Sequence, residues 1–205
     1  MANIRIKSQW FRDGPAKTPQ QNASAMAFIT WRVAQNMLKQ MRGASFDIEI
    51  GPQYFAFTRE VLVFLIQVID RMAHERMDAS LRTEFMTALV LRVAEILQEN
   101  EDRLMGPPAM GQSSHHDRFV DQFNELADHY ADFGFDANGP DFAFVRYLGH
   151  RIEGFMAQKD QRWVVEQVMA SEVPEALEMI KRGLQGILST EPRPKRAARG
   201  VASGD

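Results

Sequence analysis

Two long apolar segments joined by a very short connector constrain the fold of this chain most. The first extends from about Pro52 to Met77 and contains the uninterrupted apolar run Val61–Ile66. The second extends from about Ala79 to Leu104 and repeats apolar residues at helical spacing. Because only Asp78 separates them, as a plausible N-cap, we expect an antiparallel helix hairpin buried on most of its circumference, with one long kinked helix as the alternative.

The segments before and after this pair predict helices that cover it. We expect helices over about 23–42, from Ser114 as an N-cap to the turn at 134–140, over about 140–157, over about 163–169 and over about 174–188. The connector Ala44–Gly51 alternates apolar and acidic residues, but an isolated strand lacks a partner, so we interpret it as extended. The predicted fold class is all-α, a multi-helix bundle of about six to seven helices around a central antiparallel apolar helix hairpin.

The predicted domain organisation has three parts. Residues 1–22 form a flexible N-terminal arm, residues 23–188 a single all-helical domain, and residues 189–205 a disordered basic tail. Trp10 and Phe11 in the arm could dock onto the domain itself or onto a neighbouring subunit, and they are our candidate interface residues of the arm.

Composition excludes several classes of site. The chain has no cysteine, which rules out disulfides, thiolate catalysis and cysteine-based metal centres. The longest apolar run is far shorter than the ~20 residues needed to span a bilayer, and no signal peptide begins the chain, so we expect a cytoplasmic protein without a membrane segment. The net charge of −3 and the missing recognition motifs argue against a nucleic-acid partner, although both chain ends are basic.

Histidine–carboxylate pairs suggest a metal site as one alternative. Three pairs share a helix face at i,i+3 or i,i+4, and one further carboxylate sits beside the apolar run. These candidate ligands, for iron or zinc, are Glu60, Asp70, His74, Glu125, His129, His150 and Glu153. Chance accounts for most such pairs, and the Glu-x-x-His motif of di-iron bundles is absent. We therefore predict no cofactor, and interpret Glu60, Gln67, Arg71 and His74 as a solvent-facing stripe.

Aromatic residues crowd the third quarter of the chain. They could line an apolar ligand pocket, but aromatic stripes at helical spacing more often form a core or an interface. These residues are Phe119, Phe123, Tyr130, Phe144, Tyr147, Phe155 and Trp163. In the same region, Asp136–Asp141 resembles a calcium loop only superficially, since the first and twelfth positions would be Gly134 and Val145. We therefore expect turn chemistry there.

No catalytic signature accompanies these groups. The chain has no Gly-x-Ser-x-Gly, no P-loop, no dinucleotide-binding motif and no His-Glu-x-x-His. The wide apolar surface of the hairpin favours a non-catalytic helical interaction or structural protein that self-associates as a homodimer. The alternatives are a bundle metalloprotein or small enzyme with a His/carboxylate site, and a binder of apolar small ligands.

Overall fold

The computed structural model describes residues 17–188. Helices dominate this part of the chain. Its one sheet consists of two antiparallel strands of two residues each, in which Phe135 pairs with Pro140 and Asp136 with Gly139. The elements are α1 (Pro19–Gly43), α2 (Pro52–His74), α3 (Ala79–Met105), α4 (His115–Ala131), β1 (Phe135–Asp136), β2 (Gly139–Pro140), α5 (Phe142–Glu153), α6 (Gln158–Gln167), a π-helical turn (Val168–Glu172) and α7 (Val173–Leu188). The predicted all-α bundle is confirmed.

Helix α2 forms the centre of the bundle. It contacts α1, α3, α4, α5 and α7, and every residue from Glu60 to Ile69 is buried. The run Val61–Ile66 is apolar around the whole circumference of the helix, and such a segment can only be accommodated inside the protein, which explains this position. Within residues 17–188, no helix is both long and apolar enough to cross a membrane.

The α2–α3 hairpin is antiparallel, as predicted. The carboxylate of Glu101 near the end of α3 lies 2.8 Å from Arg59 near the start of α2, and Arg82 near the start of α3 lies 3.5 Å from Asp70 near the end of α2. Burial of α3 on most of its circumference is wrong, however. Helix α3 lies at the outside of the bundle between α1 and α4, and its solvent side exposes Leu91.

Helix α1 begins at Pro19, four residues earlier than predicted. Thr18 closes a capping box in which its hydroxyl accepts from the Gln21 N–H at 3.2 Å and the Gln21 side chain accepts from the Thr18 N–H at 3.1 Å. Proline suits the first helical position because its missing N–H would have no partner there. Residues 19–22 therefore belong to the helical domain, while residues 1–16 and 189–205, including Trp10 and Phe11, lie outside the described residues.

Helices α1 and α3 run parallel and side by side. Gln20 hydrogen-bonds Glu84, and the Arg92 guanidinium lies 5.4 Å from the ring centre of Phe28, so both contacts join residues 64 positions apart. Helix α7 packs antiparallel on the other side of α1, where Gln40 donates to Glu175 at 2.6 Å. Helix α1 is therefore held between α3 and α7, with α2 behind it.

The C-terminal region is one continuous helix rather than two separate ones. Helix α6 passes through the π-helical turn directly into α7, with no loop between them. The sequence analysis expected a separate helix to start at about Pro174, and proline lacks the N–H that continues a regular helix. The wider π-helical turn immediately before Pro174 lets the helix continue through this position. Single π-helical turns of this kind occur mostly inside longer α-helices.

Candidate functional site

Candidate metal ligands and candidate pocket aromatics from the sequence analysis meet where α2, α4 and α5 join. Glu60 comes from α2, His129 and Tyr130 from α4, and Phe144 and Tyr147 from α5. The first two were candidate metal ligands and the other three were candidate pocket residues. The structure therefore combines the two sets into one buried polar and aromatic cluster, which we call the α2–α4–α5 cluster.

An ion pair with a buried carboxylate forms the base of this cluster. Arg151 on α5 donates to both carboxylate oxygens of Glu60, at 2.6 and 3.1 Å, and Gln122 on α4 donates a third hydrogen bond at 2.9 Å. Glu60 is only 5% exposed, so the prediction of a solvent-facing stripe is wrong for Glu60 and for the similarly buried Gln67. Burial of Glu60 is possible because three hydrogen bonds satisfy its oxygens, two from the charged Arg151 and one from the neutral amide of Gln122.

Two tyrosines lie beside this ion pair. The Tyr130 ring packs 5.1 Å from the Tyr147 ring, and the Tyr147 hydroxyl lies 2.6 Å from Nδ1 of His129. Burial raises the pKa of Tyr130 well above its ordinary value, and the negative charge of Glu60 adds to this effect. Burial also raises the pKa of Tyr147, against the opposing charge of Arg151. Both phenols therefore stay protonated at neutral pH.

The predicted aromatic set forms mainly core. Tyr130 packs 4.8 Å from Phe144, and Phe144 packs 5.5 Å from Phe64 of α2 in an edge arrangement. Phe119, Tyr130 and Phe144 are buried, whereas Phe123, Tyr147 and Phe155 are half-buried. Trp163 is 57% exposed on α6 and stands apart from the other members. The buried rings pack against one another, as expected for a core.

A second buried ionic network uses the residue next to Glu60. Arg59 donates to both carboxylate oxygens of Glu101 at 2.8 Å, and Nδ1 of His115 lies 3.0 Å from the same carboxylate. Arg118 also hydrogen-bonds His115, and Nε2 of His115 lies 3.3 Å from the Gly106 carbonyl oxygen. This network joins the start of α2, the end of α3 and the start of α4. We refer to it as the Glu101 network.

The three histidine–carboxylate pairs do not assemble into one site. Among residues 17–188, no group of three or more His, Asp or Glu side chains is placed to hold a metal ion. At the Asp70/His74 pair, the Arg82 guanidinium lies 2.6 Å from Nδ1 of His74. At the Glu125/His129 pair, Nδ1 of His129 faces the Tyr147 hydroxyl. His150 lies 2.9 Å from Glu153 on the solvent side of α5.

An open groove of about 610 Å³ lies between the α1–α2 connector, the start of α2 and the segment that joins α5 to α6. Gln53 connects its walls by donating to the Phe155 carbonyl oxygen at 3.1 Å and accepting from the Glu49 N–H at 2.7 Å. Its lining residues are Asp47, Glu49, Pro52, Gln53, Ala56, Arg59, Phe155, Met156 and Ala157. Of the predicted pocket residues, only Phe155 contributes to this groove.

Turn chemistry explains the acidic loop, as predicted. Asp141 accepts from the N–H of Gly134 and from the N–H of Phe144, both at 2.8 Å. It therefore closes the loop and caps α5 with a single carboxylate. Asp136 accepts from the Asn138 N–H at 2.7 Å within the two-residue hairpin. These carboxylates bind backbone donors of their own loop.

The outer surface of α1 and α3 carries large apolar side chains in contact with solvent. Phe28 is 50% exposed and Leu91 is 42% exposed. The 64-residue offset between the two parallel helices places these two residues at nearly the same level. We call the solvent side of α1 and α3 the α1–α3 face. The sequence analysis did not identify this face, because helical spacing alone does not show which apolar residues reach solvent.

The two helices of the α1–α3 face differ in their exposed charges. Helix α1 has no acidic residue, and Phe28, Arg32 and Lys39 form an exposed stripe at i, i+4 and i+11. Helix α3 carries both signs, because its exposed side contains Glu84, Leu91, Glu95, Glu99 and Arg103, and Glu95 forms an ion pair with Arg92 of the same helix at 2.6 Å. On α1, the exposed cations therefore follow Phe28, whereas on α3 Leu91 lies between carboxylates and next to Arg92.

Comparison of the chain with protein-family models, with curated proteins and with solved structures finds no match.

Proposed function

We propose that this protein is a non-catalytic helical interaction protein that self-associates through the α1–α3 face. The observation that carries the proposal is the pair of half-exposed side chains Phe28 and Leu91 at one level of two parallel helices. Large apolar side chains grouped on a surface favour burial against a partner, since removal of their area from water is favourable.

The buried polar networks support a structural role over a catalytic one. The carboxylates of Glu60 and Glu101 are each bound by an arginine through two hydrogen bonds, which leaves little capacity for a substrate. Both networks join residues that are distant in the sequence, and this arrangement fits the positioning of α3, α4 and α5 around α2. A cytoplasmic location remains part of the proposal.

Native mass spectrometry and light scattering on the purified full chain test the proposal. We expect twice the mass of one chain, and we expect Phe28→Lys and Leu91→Lys to shift the protein towards the monomer. Phe142→Lys is the matched control, because Phe142 is 66% exposed on α5, away from the α1–α3 face. A parent protein that stays monomeric at high concentration contradicts the proposal, as does a dimer that Phe142→Lys weakens as strongly as Phe28→Lys.

A further inference from the structure

The chain enters the helical domain at one end of the α1–α3 face. Thr18 is the N-cap of α1, and Gln20 hydrogen-bonds Glu84, so the start of α1 lies next to the start of α3. Phe28 follows ten residues after Thr18 on the exposed side of α1, which corresponds to about 15 Å along the helix. Residues 1–16, which we call the N-terminal segment, therefore join the domain close to an exposed apolar surface.

Length and composition make the N-terminal segment the better fit to this surface of the two chain ends. Its aromatic pair is Trp10 and Phe11, and the seven residues from Phe11 to the N-cap of α1 span at most about 23 Å. This length covers the distance to Phe28 and leaves some chain for turning back. Leu188 also lies towards this end of the bundle, because α7 is antiparallel to α1. Residues 189–205, however, contain no aromatic residue and no Leu, Ile or Met.

We infer that the N-terminal segment folds back onto the α1–α3 face of its own chain and covers Phe28 and Leu91 with its aromatic pair. Phe28 is 50% exposed and Leu91 is 42% exposed, so contact with two large rings removes apolar area on both sides from water. The Arg92 guanidinium lies over the Phe28 ring at the same place, and a planar guanidinium also packs favourably on an indole ring.

The covalent connection favours the segment of the same chain over that of a second copy. A segment joined to its binding surface by a short linker acts at an effective concentration of about millimolar, which exceeds the concentration of separate chains in dilute solution. The contact covers the side chains that carry the proposed self-association, on which this inference rests. The N-terminal segment therefore limits self-association, and two copies join only when the segment leaves the face.

Removal of the aromatic pair tests this competition. We expect Trp10→Ser/Phe11→Ser in the full chain to dimerise roughly tenfold more tightly than the parent, since a face that is free about a tenth of the time loses that factor in apparent affinity. Light scattering over a series of protein concentrations measures the two dissociation constants. Trp163→Ser is the control, because Trp163 is 57% exposed on α6, away from the α1–α3 face.

Engineered cysteines test the contact itself, because the chain contains no cysteine of its own. Gln9→Cys/Glu95→Cys places one thiol next to the aromatic pair and the other on the exposed side of α3. Gln9→Cys/Gln185→Cys is the matched control, since Gln185 is exposed on α7, two residues after Gly183, which packs on Ile29 of α1. We expect the Glu95 variant to form an intrachain disulfide faster under mild oxidation, and we expect removal of the aromatic pair to abolish the difference.

The possible failures are distinguishable. Equal oxidation rates for the two cysteine variants overturn the contact. Disulfides between chains, together with weaker dimerisation of Trp10→Ser/Phe11→Ser, overturn the intrachain arrangement in favour of a second copy. Both results leave the proposed self-association intact. A parent and a Trp10→Ser/Phe11→Ser variant that both stay monomeric at high concentration overturn the self-association, whereas a faster intrachain disulfide at Glu95 in that monomer supports the contact.

Discussion

Arg59 and Glu60 are neighbours in α2, and each forms a buried ion pair on a different side of the helix. Arg59 binds Glu101 of α3, whereas Glu60 binds Arg151 of α5. Consecutive residues of a helix point about 100° apart, so one peptide unit directs opposite charges towards two different neighbours. Helix α4 supplies a further partner to both networks, through His115 and Gln122. The start of α2 thereby sets the positions of three surrounding helices.

The Glu60–Arg151 pair is expected to respond asymmetrically to substitution. Arg151→Met leaves the carboxylate of Glu60 buried without its main partner, and we expect a loss of about 2–4 kcal/mol in the free energy of unfolding. Glu60→Gln leaves Arg151, which is partly exposed, within reach of water, and we expect a smaller loss of about 1 kcal/mol. Urea unfolding of the single variants and of the double variant measures both effects.

The double variant Glu60→Gln/Arg151→Met should be more stable than Arg151→Met alone, because it no longer buries an unpaired charge. Arg146→Met is the control, since Arg146 lies on the exposed side of α5. Strict additivity of the two single substitutions would contradict the role of Arg151 as the neutralising partner of Glu60.

Asp141 should matter more than an ordinary helix cap. Its carboxylate accepts from two backbone N–H groups, whereas Asp78 accepts only from the Leu81 N–H at the start of α3. A lost cap costs typically ~1 kcal/mol, so we expect Asp141→Ala to cost about 2 kcal/mol and Asp78→Ala about 1 kcal/mol. Thermal unfolding compares the two variants. Faster amide hydrogen exchange at both Gly134 and Phe144 is also expected, and protection retained at Gly134 would show that the loop closes without Asp141.

Gly149 is expected to resist replacement by alanine. A Cβ atom at this position would lie 3.0 Å from Cγ1 and 3.3 Å from Cα of Val165, and the second of these belongs to the backbone of α6. Alanine gains about 1 kcal/mol of helix propensity, but separation of α5 from α6 should outweigh this gain and give a net loss of about 1–2 kcal/mol. Gly43→Ala is the control, because nothing lies within 4 Å of its Cβ position. Equal unfolding free energies for Gly149→Ala and Gly43→Ala would show that α5 and α6 separate at little cost.

Glu172 in the π-helical turn predicts a defined pH dependence. Burial raises its pKa from the ordinary value of 4.5, and the hydrogen bond from Gln167 only partly opposes this effect. The folded state therefore binds this proton more tightly than the unfolded state, and stability falls as pH rises from below 4.5 through the raised pKa. Glu172→Gln removes this loss. We expect the variant to match the parent at low pH and to exceed it at neutral pH, as measured by urea unfolding at several pH values. A stability difference that does not vary with pH would contradict the raised pKa.

Local signals in the sequence predicted the local parts of the fold. Asp78 and Ser114 were expected as N-caps, and each accepts from the N–H three residues further along, at 3.0 and 2.9 Å. The apolar run Val61–Ile66 indicated a helix without a solvent side, and α2 is the central helix. Each of these features depends on residues within one or two turns of each other, so periodicity and capping rules suffice.

Long-range partners were not predictable in the same way. Glu60 was assigned to solvent because its polar neighbours on α2 suggested an exposed stripe, while its partner Arg151 is 91 residues away. One signal was present nonetheless, since Arg151 shares a helix face with Phe144 and Leu148 of the core. An arginine on an apolar stripe indicates a buried acidic partner somewhere in the fold, but the sequence alone does not say which acid it is.

The exposed pair Phe28 and Leu91 shows the opposite limitation. Helical spacing places an apolar residue on a stripe, but which stripe becomes the outside depends on how the helices assemble. Helix α3 carries apolar residues on two sides, and packing against α1, α2 and α4 covers only part of them. Leu91 therefore reaches solvent although its residue type favours the core.

The π-helical turn sets the angle by which the side chains of α7 are rotated about the helix axis relative to those of α6. An α-helix turns by about 100° per residue, so shortening Val168–Glu172 by a single residue would rotate all of α7 about its axis relative to α6. Gly183, whose missing side chain makes room for Ile29, would then point elsewhere, and Ile180 and Leu184 would leave the core. The chain should therefore tolerate substitutions in this turn far better than a change in its length.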